Sequence, residues 1–241
     1  MNIEYKLLTK NEWSRPEKKD QMKPIKKLVL HWYGNAKQRA TGAWKFFEER
    51  KYGKTSYGSA HFLIDLSGDI IQALPQEEMG YHVGSKTYTE YGLSISSYPN
   101  DSTLGIEMGH LNWEGQYSEN TWSSAKELCY LLLKEYSLNA DNITTHRAIV
   151  GWKECPKWFF TFPEELLRFK DETHELFNSG MYGIVNAGVV NVRSDVIKKE
   201  RIVGKVKCND RLELIGYRNG WFHISNGNFV GYIGAGYVEI L

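Results

Sequence analysis

Three residues of the chain carry side chains that could hold a transition metal together. His31 ends the apolar run Lys27-Leu28-Val29-Leu30-His31-Trp32, His146 sits in Thr144-Thr145-His146-Arg147, and Cys155 lies in Gly151-Trp152-Lys153-Glu154-Cys155-Pro156. Two imidazoles and a thiolate suit Zn²⁺, and a site with three protein ligands keeps a coordination position open for water. An open position implies catalysis rather than scaffolding, because the metal makes water a usable nucleophile near neutral pH and polarises a carbonyl under attack. A chain with 7 histidines and 3 cysteines can supply such a trio by selection, so the trio needs support from the wider pattern.

The elements that must position these residues are legible. The run ending at His31 is a strand, and Ala43, Phe46 and Phe47 at i, i+3 and i+4 predict a helix for which Thr41 is the expected cap. Residues 60–65 and 70–74, joined by Leu66-Ser67-Gly68-Asp69, read as a hairpin. The stretch Gly80 to Asp101, rich in Gly, Ser and Tyr, reads as a long surface loop. Leu104-Gly105-Ile106-Glu107-Met108 is a strand in which Ile106 and Met108 share one face and Glu107 takes the other. Trp122, Ala125, Leu128, Cys129, Leu132, Leu133 and Tyr136 form one helical stripe, which places Cys129 in the core. A last helix is expected from a capping box at Thr161 and Glu164.

Beyond Asn178-Ser179-Gly180 the pattern becomes short strands with Gly-rich turns, including the hairpin signals Asn219-Gly220 and Asn226-Gly227. The fold class expected is α/β, a central mixed β-sheet flanked by helices, followed by a small all-β SH3-like barrel. Residues 1–177 form the expected catalytic domain, 178–183 a linker crossed by few contacts, and 184–241 the small module.

Composition narrows the function. With Lys+Arg 30 against Asp+Glu 29 there is no basic field of the kind that nucleic-acid binding requires. No window has the apolar length of a membrane span or of a signal-peptide core, so synthesis in the cytoplasm without membrane insertion is the expectation. Three widely spaced cysteines argue against a disulfide framework.

The order of strand-end His31, Ala60-His61-Phe62, Gly105-Ile106-Glu107, His146 and Lys153-Glu154-Cys155-Pro156 resembles the type 2 N-acetylmuramoyl-L-alanine amidases, the superfamily of phage lysozyme-type amidases and peptidoglycan recognition proteins. The resemblance spans most of residues 25 to 175. It implies zinc on His31, His146 and Cys155, a substrate groove over the metal, and cleavage of the amide between N-acetylmuramic acid and L-alanine in bacterial peptidoglycan. It also gives Lys153, two residues before the last ligand, a typical place. Glu107 could move the proton between water and leaving amine, and Lys153 could stabilise the oxyanion. The other readings of this pair are a carboxylate paired with a surface cation and a solvated lysine.

One position departs from that pattern. Many relatives carry a catalytic Tyr where this chain has Ala60, so its share of the work falls to Glu107, Tyr57 or Tyr81. His61, His82 and Tyr81 are candidates for substrate binding, with a hydrogen-bonded structural histidine an equal reading for His61 and His82. His110, His174 and His223 attract no functional reading.

Residues 184 to 241 resemble a bacterial SH3-type (SH3b) domain through Asn191-Val192-Arg193, Gly220-Trp221-Phe222 and Gly231-Tyr232-Ile233, the last with Tyr in place of the usual Trp. Such domains bind wall peptide or glycan on aromatic faces, which makes Trp221 and Tyr237 candidates, although Trp221 reads better as core. The alternative to an enzyme is a recognition protein that binds wall fragments without cutting them; such proteins typically lack the thiolate, and Cys155 is present. The whole pattern implies an endolysin or autolysin, monomeric by default, reaching the wall after release, through a holin if phage-encoded.

Overall fold

The computed structural model describes residues 1–16, 22–53, 56–196 and 201–241. In chain order the first part comprises β1 (Ile3–Tyr5), β2 (Lys27–Trp32), α1 (Ala40–Glu48), β3 (Phe62–Ile64), β4 (Ile70–Gln72), α2 (Glu90–Ile95), β5 (Thr103–Met108), α3 (Glu119–Glu135), β6 (Ile143–Thr145), α4 (His146–Val150), α5 (Lys157–Thr161) and α6 (Pro163–Ser179). Its six strands form one mixed sheet in the order β1-β4-β3-β5-β2-β6. Only the β3–β4 hairpin is antiparallel; β1 pairs with β4, and β3, β5, β2 and β6 pair with one another, in parallel.

The alternation expected of half-buried strands separates two faces. Leu28, Leu30, Ile106 and Met108 point into the main core with α3 and α6. Val29 packs on the other face with Val83, Ile95 and Ile149, and β3 and β4 lend Leu63 and Ile71 to a third cluster with α1. His31 and Glu107 share this second face, so the strands that build the core on one side carry chemistry on the other.

The second part is an all-antiparallel sheet of β7 (Tyr182–Val185), β8 (Val189–Arg193), β9 (Ile202–Lys207), β10 (Arg211–Arg218), β11 (Trp221–Ser225), β12 (Val230–Gly234) and β13 (Val238–Ile240), ordered β13-β7-β10-β11-β12-β8-β9. Asn219 and Gly220, at φ +48° and +85°, make the two-residue turn between β10 and β11. Both residues must tolerate positive φ there, as the Asn-Gly pair implied.

Four local expectations are corrected. Thr41 is not the cap of α1: the helix starts at Ala40, and the distant Asp65 carboxylate accepts its first N–H at 2.8 Å while Arg39 Nε donates to the same group. No capping box forms at Thr161, which closes α5; α6 starts at Pro163, whose missing N–H suits a first helical position. The stretch 80–101 is not a surface loop. It contains α2, capped by Thr89, and buries Val83, Ile95 and Asn100.

The fourth correction concerns residues 178–183. Asn178 and Ser179 finish α6, and Tyr182 and Gly183 open β7. Contacts across this point are extensive, because one apolar cluster runs from Leu128, Tyr130 and Leu132 of α3 to Leu212, Leu214 and Tyr217 of β10. Tyr130, Leu131, Leu132 and Leu133 are all fully buried, so this stretch of α3 is apolar around the helix and lies between two sheets. Polar contacts complete the docking. Asn219 Oδ1 accepts from Gln72 Nε2 at 2.9 Å and from the Gln76 N–H at 3.0 Å, and its amide donates to Glu77 at 2.7 Å.

Candidate active site

The parallel strands β5, β2 and β6 end side by side, and side chains at their carboxyl ends meet. His31 and Glu107 are register partners on β2 and β5, and Leu30 pairs with Thr145 on β6, so the next residue, His146, emerges beside His31. Thr145 caps α4 by accepting from the Ala148 N–H, and Gly151 at φ +81° ends the helix after one turn. The chain then doubles back, with the Arg147 N–H donating to the Cys155 carbonyl at 2.8 Å, which sets Cys155 against His146. A crevice outside the carboxyl ends of parallel strands is where open α/β sheets bind ligands.

One ligating atom from each of His31, His146 and Cys155 lies within 4.8 Å of the others. All three side chains are buried. His31 Nδ1 is 3.7 Å from Cys155 Sγ, and the His31 and His146 ring centroids are 4.8 Å apart. Both ring nitrogens of His146 are buried without a hydrogen-bond partner among the described residues. Burial, then neighbouring positive charge, holds the imidazoles unprotonated, His146 down to about 3 and His31 well below the usual histidine range. Without a metal, burial above all and then the Glu107 charge push the Cys155 thiol up to about 12. The donors thus converge, and the two unpartnered nitrogens of His146 among them are what a cation would relieve.

Glu107 stands at the floor of the same groove. Desolvation raises its carboxyl to about 8 against the opposing pull of Lys153, which is exposed on the loop before Cys155. His31, Glu107, His146, Lys153 and Cys155 all line one groove of about 1060 Å³. Its wall includes Phe46, Tyr57, Tyr81 and Tyr98, with the Tyr57 and Tyr81 rings 5.1 Å apart.

Other sequence candidates fall elsewhere. His61 does not reach the groove: it is fully buried, its Nδ1 accepts from the Gly105 N–H at 3.1 Å and its Nε2 donates to the Glu78 carbonyl at 2.8 Å. It ties β3 to β5 and to the segment after β4. His82 lines the groove but is bonded at both ring nitrogens, to His31 and to Thr103. Ala60 is buried and is not among the residues that line the groove. Sequence reasoning missed Tyr117, whose buried hydroxyl has no hydrogen-bond partner among the described residues and lies in the field of Cys155 and Glu107. No periodicity could flag it, since it precedes α3 in an irregular segment.

In the second sheet Phe222 and Ile224 take the inward positions, and Trp221 is half-buried outside the core rather than within it. Tyr237 is exposed. Tyr232 stacks on His223 at 4.4 Å between ring centroids and donates to Glu135 of α3 at 2.9 Å, so it serves the docking of the two sheets.

Comparison with known proteins agrees with this architecture. The catalytic domain of XlyA is 20% identical, the match covering 72% of this chain and 99% of that one at a TM-score of 0.51. A mutant endolysin from Bacillus subtilis is 22% identical over 71% of this chain and 98% of its own, at a TM-score of 0.53. The PlyG catalytic domain is 17% identical over 72% and 96%, at 0.54. At these identities the likeness establishes the fold. A search of curated proteins found no match. Residues 188–239 match the bacterial SH3 domain. Residues 21–158, more than half of the chain, match the model of the N-acetylmuramoyl-L-alanine amidases, and the chain belongs to that family.

Proposed function

We propose that the protein is a zinc-dependent hydrolase cutting the amide between N-acetylmuramic acid and L-alanine in peptidoglycan, and that it acts as a wall-lysing endolysin. The observation that carries the metal reading is His146: a buried imidazole with both nitrogens unpartnered, facing His31 and the Cys155 sulfur. An unpaired buried polar group costs roughly 1–3 kcal/mol, and two imidazoles with a thiol match the preferences of zinc. When bound there, zinc supplies Lewis-acid polarisation of the scissile carbonyl and acidifies water.

The chain's own groups account for the proton traffic. Glu107 accepts the proton of the attacking water on its carboxylate and delivers it to the amide nitrogen, which leaves as the free amine of L-alanine. A carboxyl raised by desolvation and lowered by nearby positive charge is poised between these two tasks near neutral pH. Lys153, exposed at the groove's edge, directs its ammonium at the carbonyl oxygen as negative charge builds there. The aromatic wall around Tyr57 and Tyr81 offers apolar faces for sugar and lactyl groups.

Labour is divided along the chain. Residues 1–177 cut, residues 184–241 bind the wall through Trp221 and Tyr237, and 178–183 join them without acting as a free tether. Mass analysis of fragments from purified walls tests the reaction. Peptides with a free N-terminal L-alanine alongside intact glycan strands are expected; new sugar reducing ends or cleavage within the peptide would overturn it.

A further inference from the structure

His82 lines the groove beside His31, and its hydrogen bonds have a fixed direction. Its Nε2 is 3.3 Å from the Thr103 carbonyl oxygen and 3.2 Å from the Thr103 hydroxyl. That hydroxyl spends its single proton on the Pro99 carbonyl at 2.7 Å, so toward His82 it can only accept. Both partners being acceptors, Nε2 of His82 carries the hydrogen, and the neutral ring presents a lone pair at Nδ1. His31 Nε2 lies 3.0 Å from that Nδ1. His31 must therefore donate from Nε2, and its own lone pair is left at Nδ1, the atom 3.7 Å from Cys155 Sγ.

The scaffold around His82 is built to hold it. Asn100, fully buried, accepts from the His82 N–H at 3.2 Å and from the Val83 N–H at 2.9 Å. Gly105 of β5 leaves the space the ring fills, since a Cβ at that position would stand 2.6 Å from His82 Cγ. Thr103 and Gly105 of β5 thus supply the polar contact and the space that the His82 ring uses.

We propose that His82 is a positioning residue which, through the relay Pro99–Thr103–His82–His31, fixes the tautomer and orientation of His31 so that its Nδ1 lone pair faces the metal position. The proposal rests on the zinc reading above. Partners of this kind typically change metal affinity by about 10–100-fold when removed.

The test is twofold. In the metal-free wild-type protein, ¹⁵N-detected histidine NMR should show both His31 and His82 protonated at Nε2; a His31 protonated at Nδ1 overturns the relay without any variant. Zinc affinity is then measured by chelator competition for wild type, H82A and H82N. H82A should lose about 10–100-fold in affinity. H82N, whose amide oxygen can accept from His31 Nε2 close to the place of the lost Nδ1, should recover part of the loss. H82A and H82N equally weak would show a structural role only, and H82A binding as tightly as wild type would remove the role altogether. A wild-type protein that binds no zinc would overturn the metal reading and, with it, this one.

Discussion

His31 and Glu107 are register partners on the adjacent parallel strands β2 and β5, facing the same side of the sheet. Parallel pairing with a period of two puts a metal-binding candidate and a carboxylate next to each other without any loop to arrange them. The pair sits on adjacent strands of the central sheet, whereas Lys153 and Cys155 come to the site from a loop.

Glu107→Gln is expected to keep the fold and the zinc while losing roughly 10²–10⁴ in turnover, the usual share of a general acid–base group. It should also stabilise the metal-free protein in a pH-dependent way. Burial raises the carboxyl from 4.5 to about 8, so between those values the unfolded chain has lost a proton that the folded one keeps. Wild-type stability then falls as pH rises through that window, and the Gln variant escapes the fall. Thermal melts of both metal-free proteins should coincide at the acid end and separate in favour of the variant at the alkaline end. Parallel curves would show that Glu107 is not desolvated in the fold.

The cysteines separate by environment. Cys155→Ser should abolish cutting and most zinc binding. Cys129→Ser places a hydroxyl in the fully buried stripe of α3 and should cost about 1–3 kcal/mol of stability, with activity per folded molecule intact. Cys208 is exposed, so its Ser variant should match wild type in both respects. Equal loss of specific activity in all three would refute the ligand assignment.

Lys153→Met should retain zinc and lower turnover by roughly 10²–10³, the effect of removing one oxyanion donor. The loss should fall on kcat rather than on KM with a small muramoyl peptide. A variant with normal kcat would return Lys153 to the status of a solvated surface charge.

A chain ending at Gly180 should not be a stable amidase. Removing the second sheet exposes one side of α3, where Leu128, Tyr130 and Leu132 share a cluster with Leu214 and Tyr217. The shortened chain is expected to bind a hydrophobic dye or aggregate, while the full chain unfolds in one transition. Equal melting temperatures for the two would show that the shared cluster contributes little.

Much of the site was legible because it follows local rules. His31 is expected at a strand's end and Glu107 from strand alternation, His146 and Cys155 from residue type, and Lys153 from the resemblance to the amidases. What escaped depends on partners far away in sequence. Asp65 caps α1 from 25 residues away, and His82 reaches His31 across 51. No pattern within a window of one element contains such pairs. The sandwiching of α3 is visible in principle, since the run Tyr130-Leu131-Leu132-Leu133 leaves no polar side for solvent, whereas the seven-residue stripe describes one face alone. The stretch 80–101 misled because its Gly and Ser content resembles a loop, whereas Asn100 and Thr89 use their side chains to satisfy backbone groups inside the fold.

His31, His146 and Cys155 are proposed to hold one catalytic zinc. The most direct test of this assignment is a titration of the metal-free protein with Zn²⁺ while release of N-terminal L-alanine from a muramoyl peptide is followed. No cleavage is expected at the start, and activity should rise in step with bound zinc to a break at about one ion per chain. Full activity in the metal-free protein, or zinc uptake unchanged in His146→Ala, would contradict it.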